Sequence, residues 1–220
     1  TGDVKQRLRI LQRVTDLFMA GSRGYSDQQI ALFDDVLQRL SADIEVKARA
    51  RLANQMADIK NAPPRLIRTL AFDDEIKVAG PVLSRSEQLT DADLVENAST
   101  KSQEHLLAIA QRLKLSEAVT DVLVERGDRR VVHKVARNTG AHFSLAGYGR
   151  LTNRARHDRK LMLTLVQRGD VPRQHFLKLL ESASAAVRAR LEAANPGVAA
   201  AIRDAVDDVA TVIQREVRAA

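Results

Sequence analysis

The sequence predicts an all-α chain, an α-solenoid of short HEAT-like helix pairs closed by helical caps. Three observations predict it. Aromatic residues make up 3% of the 220 residues and Trp is absent, while hydrophobic residues reach 45%. A core must therefore be built from Leu, Val, Ile and Ala, a palette that suits packed helices better than sheets. Helix-start signals recur at a nearly constant spacing, and the apolar residues between them follow a 3.6-residue period.

The elements follow in order. "DVKQRLRILQRVTDLFMAG" carries Val4, Leu8, Leu11, Val14 and Phe18 on one stripe and should stop at Gly21. "SDQQIALFDDVLQRL" opens with Ser26 and Gln29 at capping-box spacing. A third helix, within "ADIEVKARARLANQMADI", runs up to "NAPP". These N-terminal helices, residues 1–62, are expected to pack as a cap on the repeats.

From residue 63 the starts fall into two series. Pro63, Thr90, Ser116, Ser144 and Pro172 lie 27, 26, 28 and 28 residues apart. Asp74, Ser102, Asp128, Asp158 and Ser184 interleave with gaps of 28, 26, 30 and 26. Pro favours the first helical turn and Ser, Thr or Asp the N-cap. Two series with one period mean a repeated pair of helices about ten residues long. Expected core positions are Leu66, Ile67 and Leu70; Leu106, Ile109 and Ala110; Val119, Val122 and Leu123; Val132, Val135 and Ala136; and Phe176, Leu177 and Leu180. A single pair cannot bury its own apolar face, so the pairs of residues 63–195 must stack. Their period is shorter than the roughly 40–47 residues of ordinary HEAT or armadillo units. After Asn195-Pro196-Gly197, residues 196–220 predict a last helix with Ile202, Val206, Val209, Ile213 and Val217, a cap or a contact for a second copy.

One feature breaks the pattern. Gly80-Pro81 falls inside the helix counted from Asp74, where Pro removes a backbone hydrogen bond and crowds the preceding turn. A bend or a break after Ala79 is expected, particular to this repeat.

"NAPPRLIRTLAFDDEIKVAGPVLSRSEQLTDADLVENASTKSQEHLLAIAQR", the following "LSEAVTDVLVERGDRRVV" and the earlier "RVTDLFMAGSRGYSDQQIALFDDVL" resemble the bacterial family called domain of unknown function 2336. The resemblance covers roughly residues 8 to 192. It implies an alphaproteobacterial, cytoplasmic protein and brings no site residues with it.

The charge is uneven. Residues 1–120 hold 17 Lys/Arg and 17 Asp/Glu, residues 121–190 hold 15 against 6, and residues 191–220 hold 3 against 5. A basic block within a net charge of +7 points to an anionic partner or to a solvated basic face. Lys77, His105, His133, Lys160 and Arg188 are spaced 28, 28, 27 and 28 apart, so stacked pairs would align them as a ladder. Arg129, Arg130, Lys134, Arg137 and Arg159 surround it. In HEAT-type solenoids the second helices line the concave face, which would make these ten residues a basic groove.

Other chemistries find little. Asp73, Asp74 and Glu75, and then Asp91, Asp93 and Glu96, are placed for first-turn capping rather than for a metal. The five histidines form no i, i+4 pair, and Cys is absent. No dinucleotide, phosphate-loop or nucleophile-elbow signature occurs, and "GAHFSLAGYGR" reads as an inter-helix turn. No catalytic residue, metal or cofactor is assigned. No apolar run is long enough to cross a bilayer. The first residues show no leader pattern, and the start without Met suggests that the natural terminus differs. The expected function is a non-catalytic scaffold or regulatory module in the cytoplasm, docking an acidic protein or peptide along the groove. The alternative is a DNA- or RNA-binding protein, with a base-excision enzyme as its remoter form. Phe143, Tyr148 and Phe176 are the aromatics of the basic block, a thin supply of stacking platforms. An enzyme of another kind would show converging Asp and His groups of shifted pKa in a deep pocket.

Overall fold

A computed structural model describes residues 2–42 and 44–194, together with Arg203, Asp204, Asp207, Asp208, Thr211, Val212 and Arg215. Among the described residues there are twelve α-helices, one 3-10 turn (Ser22–Gly24) and no strand. The chain is all-α. The predicted last helix, with Ile202, Val206, Val209, Ile213 and Val217, lies outside the described residues. Backbone contacts divide the chain into two compact units, Thr1–His142 and Phe143–Ala220.

The first unit holds α1 (Gly2–Gly21), α2 (Asp27–Ser41), α3 (Val46–Met56), α4 (Pro64–Ala71), α5 (Ile76–Arg85), α6 (Asp91–Thr100), α7 (Gln103–Ile109), α8 (Glu117–Arg126) and α9 (Arg129–Arg137). Local side-chain caps close three of the starts, those of α2, α6 and α9. Ser26 and Gln29 close their capping box, and Thr90 and Asp93 close another. Asp128 accepts from the Val131 amide at 2.9 Å. The second of the interleaved starts moves by one residue, because Glu75 rather than Asp74 is the cap of α5.

Packing orders these pieces. α3 packs on α5, α5 on α7 and α7 on α9, while α2 packs on α4 and α6 on α8. The inward faces are those the period marks: Leu66, Ile67 and Leu70 of α4, Leu106 and Ile109 of α7, and Val132, Val135 and Ala136 of α9 are buried. Val122 is a correction, being half-buried while Val124 takes the core place two residues further. In the N-terminal part Phe18 is fully buried and meets Tyr25 and Phe33 at ring-centroid distances of 5.8 and 5.1 Å.

The helices are too short for local caps alone, so side chains from neighbouring elements satisfy their ends. Pro63 caps α4 without a side-chain bond, and the buried Asp34 of α2 supplies the acceptor instead, taking the amides of Arg65 at 3.0 Å and Leu66 at 2.8 Å. At the other end of α4, Asn97 donates to the Ala71 carbonyl at 2.8 Å. Arg112 donates to Leu83 and Ser86 carbonyls at 2.8 and 2.9 Å, closing the end of α5. Gln103 serves the Arg126 carbonyl that ends α8. Each such bond satisfies a terminal group that has no partner within its own helix.

Gly80-Pro81 does not break α5, which runs unbroken through both residues. Four of its side chains, Val78, Ala79, Val82 and Leu83, are buried on the row of neighbours, and that packing holds the turn against the missing bond. Replacing Pro81 by Ala should therefore stabilise the fold. The helix penalty of Pro is about 3 kcal/mol, offset by the roughly 1 kcal/mol of unfolded-state entropy it removes. A rise of about 1–2 kcal/mol in urea-unfolding free energy is expected, and a fall would mean that Pro81 sets a geometry the packing needs.

The second unit holds α10 (Leu145–Ala155), α11 (Arg159–Val166) and α12 (Arg173–Ala194), each packed on the other two. Ser144 and Asp158 cap α10 and α11. The predicted start at Ser184 is corrected: α12 continues through it as a single 22-residue helix. "ESASAAVRARLEAA" contains no Gly or Pro, and its alanines favour continuation over a new cap. The core positions of this helix are also shifted, with Leu179 and His175 buried while Phe176, Leu177 and Leu180 are half-buried.

Candidate functional site

The predicted basic residues of the first unit differ in exposure and in what they line. His105 is a correction. It is 1% exposed, because its ring has work inside the fold: Nε2 meets the Asp73 carbonyl at 2.9 Å and Nδ1 meets the Ser102 hydroxyl at 2.8 Å. A carbonyl only accepts, so Nε2 carries a hydrogen, while Nδ1 engages the Ser102 hydroxyl. That is why the Ser102 side chain makes no capping bond to α7. His105 ties α7 to the α4–α5 loop and presents nothing to a partner.

Four of the predicted residues do converge. Arg130, His133, Lys134 and Arg137, at helical spacing on α9, line one open cleft of about 530 Å³. Its other wall is the end of α7 and the turn after it, with Leu107, Ala110, Arg112 and Leu113. The two turns that continue these walls are tied by backbone pairing: Leu115 N–H donates to Gly140 O and His142 N–H to Leu115 O, each at 3.0 Å. Asn138 adds a side-chain bond to the Arg112 carbonyl at 2.6 Å.

The charges in the cleft differ in their freedom. Arg130 pairs with Glu104 of α7 at 2.8 Å, and that hydrogen bond raises its pKa further. Arg112 is committed to the carbonyls ending α5, and burial lowers its pKa from the ordinary arginine value, with Asp91 and Glu87 opposing. His133 takes part in further interactions within the fold. Lys134 and Arg137 are exposed and have no ion-pair partner among the described residues. Leu113, which lines the same cleft, is 90% exposed. The cleft thus offers two uncommitted cations beside an uncovered leucine.

The other predicted site residues lie elsewhere. Lys77 of α5 and Arg129 at the start of α9 are exposed but do not line the cleft, and Arg129 is engaged in further interactions. Arg159 and Lys160 open α11 in the second unit, both exposed. Arg188 falls within α12, and its side chain lies outside the described residues. Sequence reading missed Arg112 and Leu113. Leu113 did leave a signal, an apolar residue in the turn between two helices.

The acidic clusters serve the fold. Asp73 receives the Arg49 guanidinium at 2.6 Å and precedes α5 instead of sitting in its first turn. The Lys101 hydrogen bond at 2.6 Å holds Asp74 below the usual carboxylate range. Burial opposes ionisation of Asp93, but the Thr90 and Arg68 hydrogen bonds outweigh it and hold that carboxyl low. Glu96 also receives Arg68. Among the described residues no group of three or more His, Asp or Glu is placed to hold a metal ion.

The largest protonation shift is that of Tyr148 in the second unit. Its ring meets Phe143 tilted at 5.3 Å and His175 stacked at 6.3 Å, and Arg168 lies over the Phe143 ring at 4.9 Å. Burial pushes the Tyr148 phenol up to about 12, with the Asp170 carboxylate adding to it. Burial also lowers His175, and the Lys178 charge adds to that. Arg168 holds Asp170 below its ordinary value through their 2.6 Å pair. Burial and the charges of Asp170, Lys178 and Arg168 account for these shifts without a reacting group.

Among the described residues no helix is long and apolar enough to cross a membrane. No curated protein and no solved structure matches the chain. A family model described as "Uncharacterised protein conserved in bacteria (DUF2336)" matches residues 78–219. The match begins later and ends later than the resemblance read from the motifs, and it contains the whole α7–α9 cleft. Covering well over half of the sequence, it makes this chain a member of that bacterial family.

Proposed function

We propose that the chain is a non-catalytic binding module, and that the α7–α9 cleft docks an acidic segment of a partner protein. The short pairs form an α-solenoid of HEAT-like repeats, a reading supported by the successive packing of α3, α5, α7 and α9. It acts in the cytoplasm and needs no cofactor. The carrying observation is the pairing of Lys134 and Arg137, uncommitted among the described residues, with the exposed Leu113 in one cleft. Cations that balance no acid of their own attract an anionic ligand, and an apolar anchor beside them favours a peptide over a bare phosphate chain. The walls are held by interhelical bonds, so docking orders few side chains and loses little entropy.

The test compares the chain with a Lys134→Glu/Arg137→Glu double variant of unchanged circular dichroism. Both serve as baits in nuclease-treated lysate, and the recovered protein is then titrated. Recovery by the first bait with roughly tenfold or greater loss of affinity in the second is expected, tenfold being about 1.4 kcal/mol. Equal recovery by both baits would leave the cleft a solvated face. The nucleic-acid alternative requires duplex DNA to bind with an affinity falling steeply in salt and with the same dependence on the two cations.

A further inference from the structure

His175 is the third residue of α12 and is 6% exposed, in the seam where α12 packs on α10. Its ring stacks on Tyr148 at 6.3 Å between centroids and lies against the α10 backbone, where a Cβ on Gly149 would stand 3.6 Å from its Cε1. Nδ1 is buried and has no hydrogen-bond partner among the described residues. A neutral imidazole bears this at modest cost, because one of its nitrogens is a bare acceptor. An imidazolium does not, because both nitrogens then carry hydrogens that need acceptors.

The surroundings offer a positive charge little. α10 contributes the Tyr148 phenol and the cations Arg150 and Arg154, and α11 contributes Arg159 and Lys160; neither helix contains Asp or Glu. On α12 itself Arg173 opens the helix, and Lys178, one turn beyond His175, repels a second cation. Glu181 is the first acid of α12, six residues on and on another side of the helix. Asp170, in the turn before α12, is taken by Arg168 at 2.6 Å. The first turn of a helix is also its positive end, where a cation is disfavoured. A hydrogen bond with the Leu145 backbone favours the proton, and burial outweighs it.

We infer that His175 is an acid-sensitive latch of the second unit: uncharged, it holds the start of α12 on α10, and protonated, it leaves the seam for water and lets that contact open. The latch acts within the second unit and is independent of the α7–α9 cleft. Folded His175 takes up a proton less readily than a free ring, whose ordinary value is 6.5. The stability it supports is therefore full above about pH 6.5 and falls as the pH drops below that.

Hydrogen exchange of the full chain, read by mass spectrometry at about pH 7.5 and 5.5 and corrected for intrinsic rates, tests the latch. On acidification, peptides of α10 and α12 should lose protection by about threefold or more, roughly tenfold being the ceiling for a single site of ordinary histidine pKa when released. Peptides of α3 and α5 should hold theirs. His175→Gln keeps a neutral polar side chain and should abolish the loss. His157→Gln, at an exposed position of the same unit, should leave it in place. If His175→Gln does not fold, NMR of the unaltered chain decides: the native His175 ring should be well under half protonated at about pH 6.5, where a free ring is half protonated. A smaller loss of protection, an equal loss in His175→Gln, or a native ring half protonated at that pH would each overturn the inference.

Discussion

Asp34→Ala is expected to cost about 3 kcal/mol of folding free energy, more than most single changes in this chain. The carboxylate is 2% exposed and holds the start of α4 from outside, accepting the Leu66 amide at 2.8 Å, the Arg65 amide at 3.0 Å and the Arg65 side chain at 3.3 Å. Pro63 offers α4 no side-chain cap in its place. Hydrogen bonds to a charged group contribute about 1.5–3 kcal/mol, and removing the acceptor strands the amide of Leu66, itself fully buried. Asp34→Asn keeps one acceptor oxygen and should lose only about half as much. Urea unfolding followed by circular dichroism measures both. A loss below roughly 0.5 kcal/mol for Asp34→Ala, the ordinary range of surface changes, would show that water caps α4 equally well.

Gly140→Ala should destabilise the first unit by about 2–3 kcal/mol and also weaken binding at the α7–α9 cleft. Its backbone angle is not the reason, since no described glycine has a positive φ. The reason is proximity: a Cβ on Gly140 would press into the carbonyl oxygen of Leu113. That oxygen belongs to backbone and cannot rotate aside. The turn carrying Gly140 is also bound to Leu115 and, through Asn138, to Arg112. Relief must come by parting the two turns, which shifts Leu113 relative to Lys134 and Arg137. The same substitution at Gly24, where a Cβ meets nothing within 4 Å, is the control and should leave both readouts alone. An unchanged unfolding midpoint in Gly140→Ala would mean that the turns separate freely and do not hold the cleft walls rigid.

The membership of the family and the all-α class were legible in the residues, as were nine of the ten helix starts read from the repeat, to within a residue or two. The exception, Ser184, shows the limit of local signals. A serine caps only if the chain before it leaves the helix, and nothing between Glu181 and Ala194 makes it leave. Gly80-Pro81 shows the converse, a local breaker overridden by four buried neighbours on the same helix.

Sequence by itself determined most of the helix starts and the inward faces of α4, α7 and α9, because capping and a 3.6-residue period act within one or two turns. Tertiary structure alone decided which basic residues are available. His105 and Lys134 look alike as polar positions of second helices. One is bonded to a carbonyl 32 residues away and buried, and the other is left in solvent beside Leu113. The physical reason is the shortness of the helices. Their unsatisfied ends draw partners from neighbouring elements, such as Asp34 for Leu66, Asn97 for Ala71 and Arg112 for Leu83, at separations of 32, 26 and 29 residues. Those long-range bonds consume some polar side chains and spare others, and spacing along the chain does not say which.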